Sequence, residues 1–435
     1  MGGDSLWDDR PGCHSYCYGA IQLFVNLILH GPASIRGASG IFSILASQRL
    51  IRKDLTPSPN SGCNWLLRLG LYELTRPLEP AEDRIWIVDH TVQIGTVKCL
   101  LIVGCRISAW QGLQRPLRHQ DLSVIALEPA QSSNSSVVLQ EFEKGVARAG
   151  VPRAILSDGA KELRRAIEDF REAHPQTVNL YDVKHKIALF LKHELEDDPR
   201  WKEFIKQAAA SRSQLAFDPL VYLVPPTPKH KARYMNLGEL VTWAIKMRRF
   251  LDAPRSPDGE PINMGKLNIT LGWLRQFEDA TADWQAILGT ADVALDFLRI
   301  NGYSVQAATE LALRLNPLAV RPASRRVADN LIEFVSEQNT CVLPGERLPA
   351  SSEVLESLIG RGKRLEGQQS SSGFTKMVLG MAAAVTQPTQ EFIEQAFRAV
   401  KTNDVIEWAK KKLGTSVQSC RRAALAPAKV GTKAA

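Results

Sequence analysis

From Arg84 the chain reads RIWIVDHT (84–91), TVKCLLIVGCRI (96–107) and LSVIALEP (122–129), three apolar, β-branched runs joined by short polar or Gly-containing links. Such runs predict successive strands. SSVVLQEFEKGVARAG (135–150) then spaces Val138, Phe142 and Val146 at helical intervals, with Gly150 and Pro152 to close the helix. RAILSD (153–158) predicts a fourth strand, ELRRAIEDF (162–170) a helix, TVNLYD (177–182) a fifth strand and KHKIALFLKHEL (184–195) another helix. The order βββαβαβα implies an antiparallel start continued by strand–helix units. That is an α/β fold with a mixed sheet flanked by helices.

Outward from this stretch the patterns are helical. Residues 1–80 read as short helices broken by Gly and Pro, and Asn60 and Ser61 before CNWLLRLGLYEL (63–74) predict a capped helix ending near Gly70. It is either the second helix of a DNA-binding helix-turn-helix or part of an ordinary helical bundle. Between Trp201 and Leu343 amphipathic segments such as LGELVTWAIKMRRFL (237–251) and ADVALDFLRI (291–300) dominate, as in a helical insertion. After Pro349, SSEVLESLIGRGKRL (351–365) begins a helix with Ser at its start and acids in its first turn, and further helical patches follow. The expected division is a helical region at 1–80, a first part of an α/β core at 84–200, a helical insertion at 201–345, a second part of the core with C-terminal helices at 346–415, and a basic flexible tail at 416–435.

The length of 435 residues exceeds one ordinary domain, and 44% hydrophobic with 23% charged residues permits a sizeable core. A net charge of +8 with a pI near 9.1 suits a polyanionic partner without specifying one. Seven scattered cysteines suggest free thiols in a reducing compartment. Cys13, His14 and Cys17 lack a second Cys/His pair at zinc spacing. The apolar run AIQLFVNLIL (20–29) is too short to span a bilayer and follows Asp8, Asp9 and Arg10 rather than a basic segment, so a soluble cytoplasmic protein, nucleoid-associated in a prokaryote, is expected.

Two carboxylates interrupt buried strands at corresponding places. Asp89 ends the apolar run of IWIVD, and Asp158 ends AILSD just before Gly159. If the first and fourth strands are neighbours, the two acids converge, and converging carboxylates with hard oxygen donors select Mg²⁺ or Mn²⁺. Otherwise each is an ordinary turn or cap residue.

With these residues in place, the sequence resembles the RNase H-like superfamily, specifically transposases and integrases with a catalytic Asp, Asp, Glu (DDE) triad. The match covers roughly 84–200 and 350–385. Members carry the third acid on a later helix in a segment like ESxxGxxK, which Glu356, Ser357, Gly360 and Lys363 reproduce. The resemblance implies an RNase H-like mixed sheet interrupted by a helical insertion, with Asp89, Asp158 and Glu356 as metal-binding catalytic residues. It further implies two Mg²⁺ or Mn²⁺ ions, and cleavage and strand transfer of DNA by a homo-oligomer assembled on terminal inverted repeats and target DNA.

Glu353, three residues before Glu356, is the rival third acid. Lys363 lies on the face of Glu356 two turns on, and Lys363, Arg361 and Arg364 are candidate DNA contacts or a solvated basic face. Asp182 and His185 resemble a C/D-x-x-H signature of transposases such as the hAT group and are given a supporting role. The nearer resemblance is to bacterial insertion-sequence transposases. Alternatives are a structure-selective nuclease on the same fold and a catalytically silent DNA-binding protein of transposase descent. Gly360 to Lys363 mimic the end of a P-loop, but Ser357 and Arg364 occupy required Gly and Ser/Thr positions. His90 is expected on the opposite sheet face from Asp89. Trp243, Trp273 and Trp284 are read as core residues in preference to base-stacking ones.

Overall fold

The structure is a computed structural model. It describes residues 1–435 except 1–4, 13, 32, 95–96, 131–133, 228–236, 256–261, 369–374, 416 and 426–435. Cys13 and most of the basic tail lie outside the described residues. The chain forms two compact units, one of Met1–Leu113, Leu117–Leu180 and Ser352–Ala435, the other of Gln114–Pro116 and Tyr181–Ser351.

In the first unit the N-terminal helices are α1 (Ser5–Asp8), α2 (Tyr18–Leu29), α3 (Ile35–Ser47) and α4 (Pro59–Thr75). The strands are β1 (Arg84–Ile94), β2 (Val97–Arg106), β3 (Ser123–Ala130), β4 (Ala154–Ser157) and β5 (Val178–Tyr181, whose last residue opens the second unit). Helix α5 (Ile107–Gln111) follows β2, α6 (Ser135–Ala149) follows β3, and α7 (Lys161–Ala173) follows β4. The second unit is helical, with α8 (Val183–Glu196), α9 (Pro199–Leu215), α10 (Gly238–Asp252), α11 (Met264–Leu271), α12 (Glu278–Asn301), α13 (Ala307–Leu315) and α14 (Pro322–Asn339). The chain then returns to the first unit through α15 (Glu353–Gly367), α16 (Leu379–Ala383), α17 (Gln390–Ala399), α18 (Thr402–Leu413) and α19 (Val417–Leu425).

The five strands form one mixed sheet in the order β3-β2-β1-β4-β5. β1, β2 and β3 pair antiparallel in succession, while β1 and β4 pair parallel over Ile85↔Ala154 to Val88↔Ser157. Strand alternation turns Trp86 and Val88 toward α6 and α7, where they join Leu100, Ile102, Phe142, Ile155, Ile167 and Phe170 in a buried core. Trp86 lies 6.0 Å from Phe142 and 6.1 Å from Phe170 between ring centroids. Gly145 admits this packing, because a Cβ there would meet the Trp86 ring at 2.7 Å.

Helix α4 differs from its expected form. Ser58 caps it by accepting the amide of Ser61, Pro59 occupies its first turn, and it runs past Gly70 to Thr75. Gly70 marks a close approach, not an end: a Cβ there would lie 2.1 Å from the carbonyl oxygen of Leu379 on α16. Residues 65–71 are all buried. The centre of α4 is thus packed as in a helical bundle, while Asn60 at its N-terminus stays exposed.

Two charged staples tie α4 into the unit. Buried Arg68 donates to the carbonyls of Phe397 and Val400 at the end of α17, and its guanidinium lies 4.1 Å from the Phe397 ring centroid. Buried Glu73 accepts from Arg76 and from the amide of Val124 on the edge strand β3. Arg148 on α6 donates to the carbonyls of Glu73, Arg76, Val124 and Ile125. This network satisfies an edge that would otherwise expose unpaired backbone.

We expect Gly70→Ala to lower stability by about 1–3 kcal/mol through overpacking, whereas Gly40→Ala on α3, with nothing within 4 Å of the added Cβ, should raise it by up to ~1 kcal/mol. Equilibrium urea unfolding reads both, and equal gains at the two positions would refute the close α4–α16 approach. Glu73→Ala, which strands buried donors, should cost about 3 kcal/mol, against under ~1 kcal/mol for Glu203→Ala in the exposed pair with Lys206.

Candidate active site

Asp89 follows Val88, whose partner Ser157 ends β4, and Asp158 follows Ser157. Each acid thus follows the last pair of one parallel ladder, Asp89 still within β1 and Asp158 just past the end of β4. Since Trp86 and Val88 point to the α6–α7 core, Asp89 belongs to the other face with Ile85 and Ile87. Helix α15, which carries Glu356, packs on β1. With α6 and α7 occupying the first face, α15 meets β1 from the side of Asp89.

Asp89 stands within its strand rather than at the end. β1 continues to Ile94, and Asp89 is paired with Leu101 of β2. The hairpin with β2 simply outlasts the pairing with the shorter β4. Asp89 Oδ1 accepts the amide of His90 at 2.6 Å. Asp158 Oδ1 accepts the amide of Ala160 at 2.9 Å, an Asx turn in which Gly159 takes a φ of 74° so that the chain reverses into α7. Asp89, Asp158 and Glu356 are each partly buried.

His90 takes the opposite side, as alternation requires. Its Nδ1 lies 3.9 Å from Glu162 on the first turn of α7, and Lys98 Nζ lies 3.9 Å from the same carboxylate oxygen. Burial lowers the His90 pKa, the Glu162 and Asp158 charges oppose that, and Lys98 reinforces it. Neither Glu162 nor Lys98 stands out in the sequence. The signal for Glu162 is only its place four residues after Asp158 at a helix start.

Helix α15 begins where the backbone carbonyl of Ser352 accepts the amides of Leu355 and Glu356, and both Glu353 and Glu356 sit in its first turn. At about 100° per residue, Glu356 and Lys363 lie about 20° apart around the axis, while Arg361 and Arg364 lie on other sides. Arg361 donates to the carbonyl of Leu29 at 2.7 Å and Arg364 to that of Ile28 at 2.8 Å, at the C-terminus of α2. Cations at a helix C-terminus satisfy carbonyls that have no intrahelical partner and oppose the dipole. Lys363 is exposed. His119, unmarked in the sequence, bonds to the backbone of Val354 in the first turn of α15, and burial, then the Arg361 charge, pushes its pKa down to about 4.

Asp182 and His185 lie in the helical unit. Asp182, buried, caps α8 by accepting the amide of Lys184, and its other oxygen lies 2.6 Å from His185 Nδ1. Trp243, Trp273 and Trp284 are structural: Trp273 and Trp284 pack with Trp201, Phe204 and Phe277, and Trp243 donates to the carbonyl of Leu223. Trp284 is 1% exposed and donates to Asp198. His14 stacks on Phe397 and meets Arg68 at 3.1 Å. Burial, then the Arg68 charge, lowers its pKa.

No helix among the described residues is long and apolar enough to cross a membrane. The sequence matches no protein-family model and no curated protein. Among solved structures, one described as the Drosophila P element transposase strand transfer complex is similar at 12% identity and a TM-score of 0.38, covering 85% of this chain and 96% of that chain.

Proposed function

We propose that the chain is a DNA transposase of the DDE type, with an RNase H-like catalytic core, in which Asp89, Asp158 and Glu356 hold two Mg²⁺ or Mn²⁺ ions. The observation that carries the reading is the parallel pairing of β1 with β4, whose last pair, Val88 and Ser157, immediately precedes Asp89 and Asp158, together with α15 packed on β1. The mixed sheet, with an antiparallel β1–β3 start and β1 and β4 as parallel neighbours, supports the reading, as does the helical unit between Asp158 and Glu356 in the chain.

The donors fit the ions. Three carboxylates from two strands and a helix offer hard oxygen ligands, which divalent cations of this class prefer. When bound, such ions activate a water or a DNA 3′-hydroxyl and stabilise the leaving 3′-oxygen of an in-line displacement. Asp89, paired with Leu101 of β2, would hold the ions from the sheet. Asp158 and Glu356 would complete the set, and the backbone amides of His90 and Ala160 orient the carboxylates of Asp89 and Asp158. Lys363, exposed on the Glu356 side of α15, is the cation positioned for a phosphate. Arg361 and Arg364, engaged with α2, orient the helix instead, so the DNA-binding role expected of all three cations rests on Lys363.

The test pairs metal binding with chemistry. Titration with Mn²⁺ alone should show binding by the intact protein and its loss in Asp89→Asn and Asp158→Asn. On a plasmid carrying the DNA that flanks the reading frame, these variants and Glu356→Gln should lose cleavage and strand transfer by at least about 10²-fold, while Glu353→Gln retains much of both. Wild-type cleavage by Asp89→Asn would refute the site. An active Glu356→Gln beside a dead Glu353→Gln would move the third acid by one turn, and cutting without joining would identify a nuclease.

A further inference from the structure

The net charge of the chain is concentrated in one place. Residues 401–435 contain eight Lys and Arg against two Asp and Glu, a net +6 of the chain's +8. Within this segment, α18 is held to the first unit by buried Val405 and by an ion pair from Lys412 to Glu128 on β3, while Lys410 and Lys411 in its last turn face solvent. Gly414 then takes a φ of 67° and ends the helix. In α19 every residue whose side chain is described is exposed, including Arg421 and Arg422.

The described side chains of α19 bury no surface, and nine residues are too few for a helix to be secure in water alone. Its cations therefore serve no interior, and the pairing that anchors this region is already supplied by Lys412. We propose that Lys410, Lys411, Arg421 and Arg422 form a sequence-independent clamp on the phosphate backbone of duplex DNA, separate from the acidic site. The proposal rests on the DNA-processing reading for the class of its partner only. Charge complementarity selects that partner: rows of phosphates neutralise clustered Lys and Arg by releasing condensed counterions, and bonds to phosphate position a protein on DNA without reading sequence. α19 orders against the duplex on binding.

The experiment measures binding of the full-length protein to a 30-base-pair duplex of arbitrary sequence in EDTA, over a range of salt concentrations. The variant K410E/K411E/R421E/R422E should bind about tenfold or more weakly at moderate salt, and the slope of log K against log[salt] should fall in magnitude by about 3–4, at about 0.9 for each phosphate no longer neutralised. Its circular dichroism and Mn²⁺ binding should match the intact protein. The control K202E/K206E/K246E/R249E reverses four exposed cations of the helical unit and should leave the slope near that of the intact protein. An unchanged slope in the first variant, or an equal fall in the control, overturns the proposal. So does wild-type DNA binding by the first variant combined with failure to bind phosphatidylserine vesicles, which would identify a lipid surface as the partner. Absence of metal-dependent cleavage by the intact protein would refute the transposase reading alone, since binding in EDTA is scored independently.

Discussion

The candidate site depends on the parallel pairing of β1 with β4. Four residues in register, Ile85 to Val88 against Ala154 to Ser157, lead directly to Asp89 within β1 and to Asp158 just past the end of β4. A slip of one residue would send one acid to the opposite face and into the aromatic core around Trp86. The core prevents that slip, because Trp86 and Ile155 are partners in the ladder and both are buried against α6 and α7. The packing of one side of the sheet thereby sets the chemistry available on the other.

The second side is built by close approaches between helices. Gly70 brings α4 against the backbone of α16, and Gly362 does the same for α15, where a Cβ would meet the Met381 side chain at 2.4 Å. Arg361 and Arg364 add bonds to the end of α2. Helix α15 is thus pinned at its middle and along one flank. The N-terminal region supports this helix, and its own central helix is buried in doing so.

The sheet was legible because strand and helix periods differ sharply between residues 84 and 196, and because a carboxylate closing an apolar run has few explanations. Burial of α4 was not, since SGCNWLLRLGLYEL has the composition of either an exposed amphipathic helix or a covered one. What decides the matter is Gly62 against Phe24 and Gly70 against Leu379, neighbours that lie far away along the chain. The fate of the basic residues on α15 was hidden for the same reason. Arg361 and Lys363 look alike in the sequence, and only the carbonyls at the end of α2 distinguish them. Asp182 and His185 form a local pair that a short motif can find, but a helix cap leaves the same trace in the sequence as a signature of function.

The different footing of the two strand acids has a consequence for how the site opens. Asp89 lies inside a hairpin that extends to Ile94, so exposing its backbone to exchange with solvent requires disrupting the centre of the sheet. Asp158 lies at the first position of a three-residue turn containing Gly159, where local opening needs only the breaking of the Ala160 amide bond to its carboxylate and a rotation about a permissive residue. In the language of native-state hydrogen exchange, the backbone at Asp89 opens only with the sheet, whereas that at Asp158 opens with its turn.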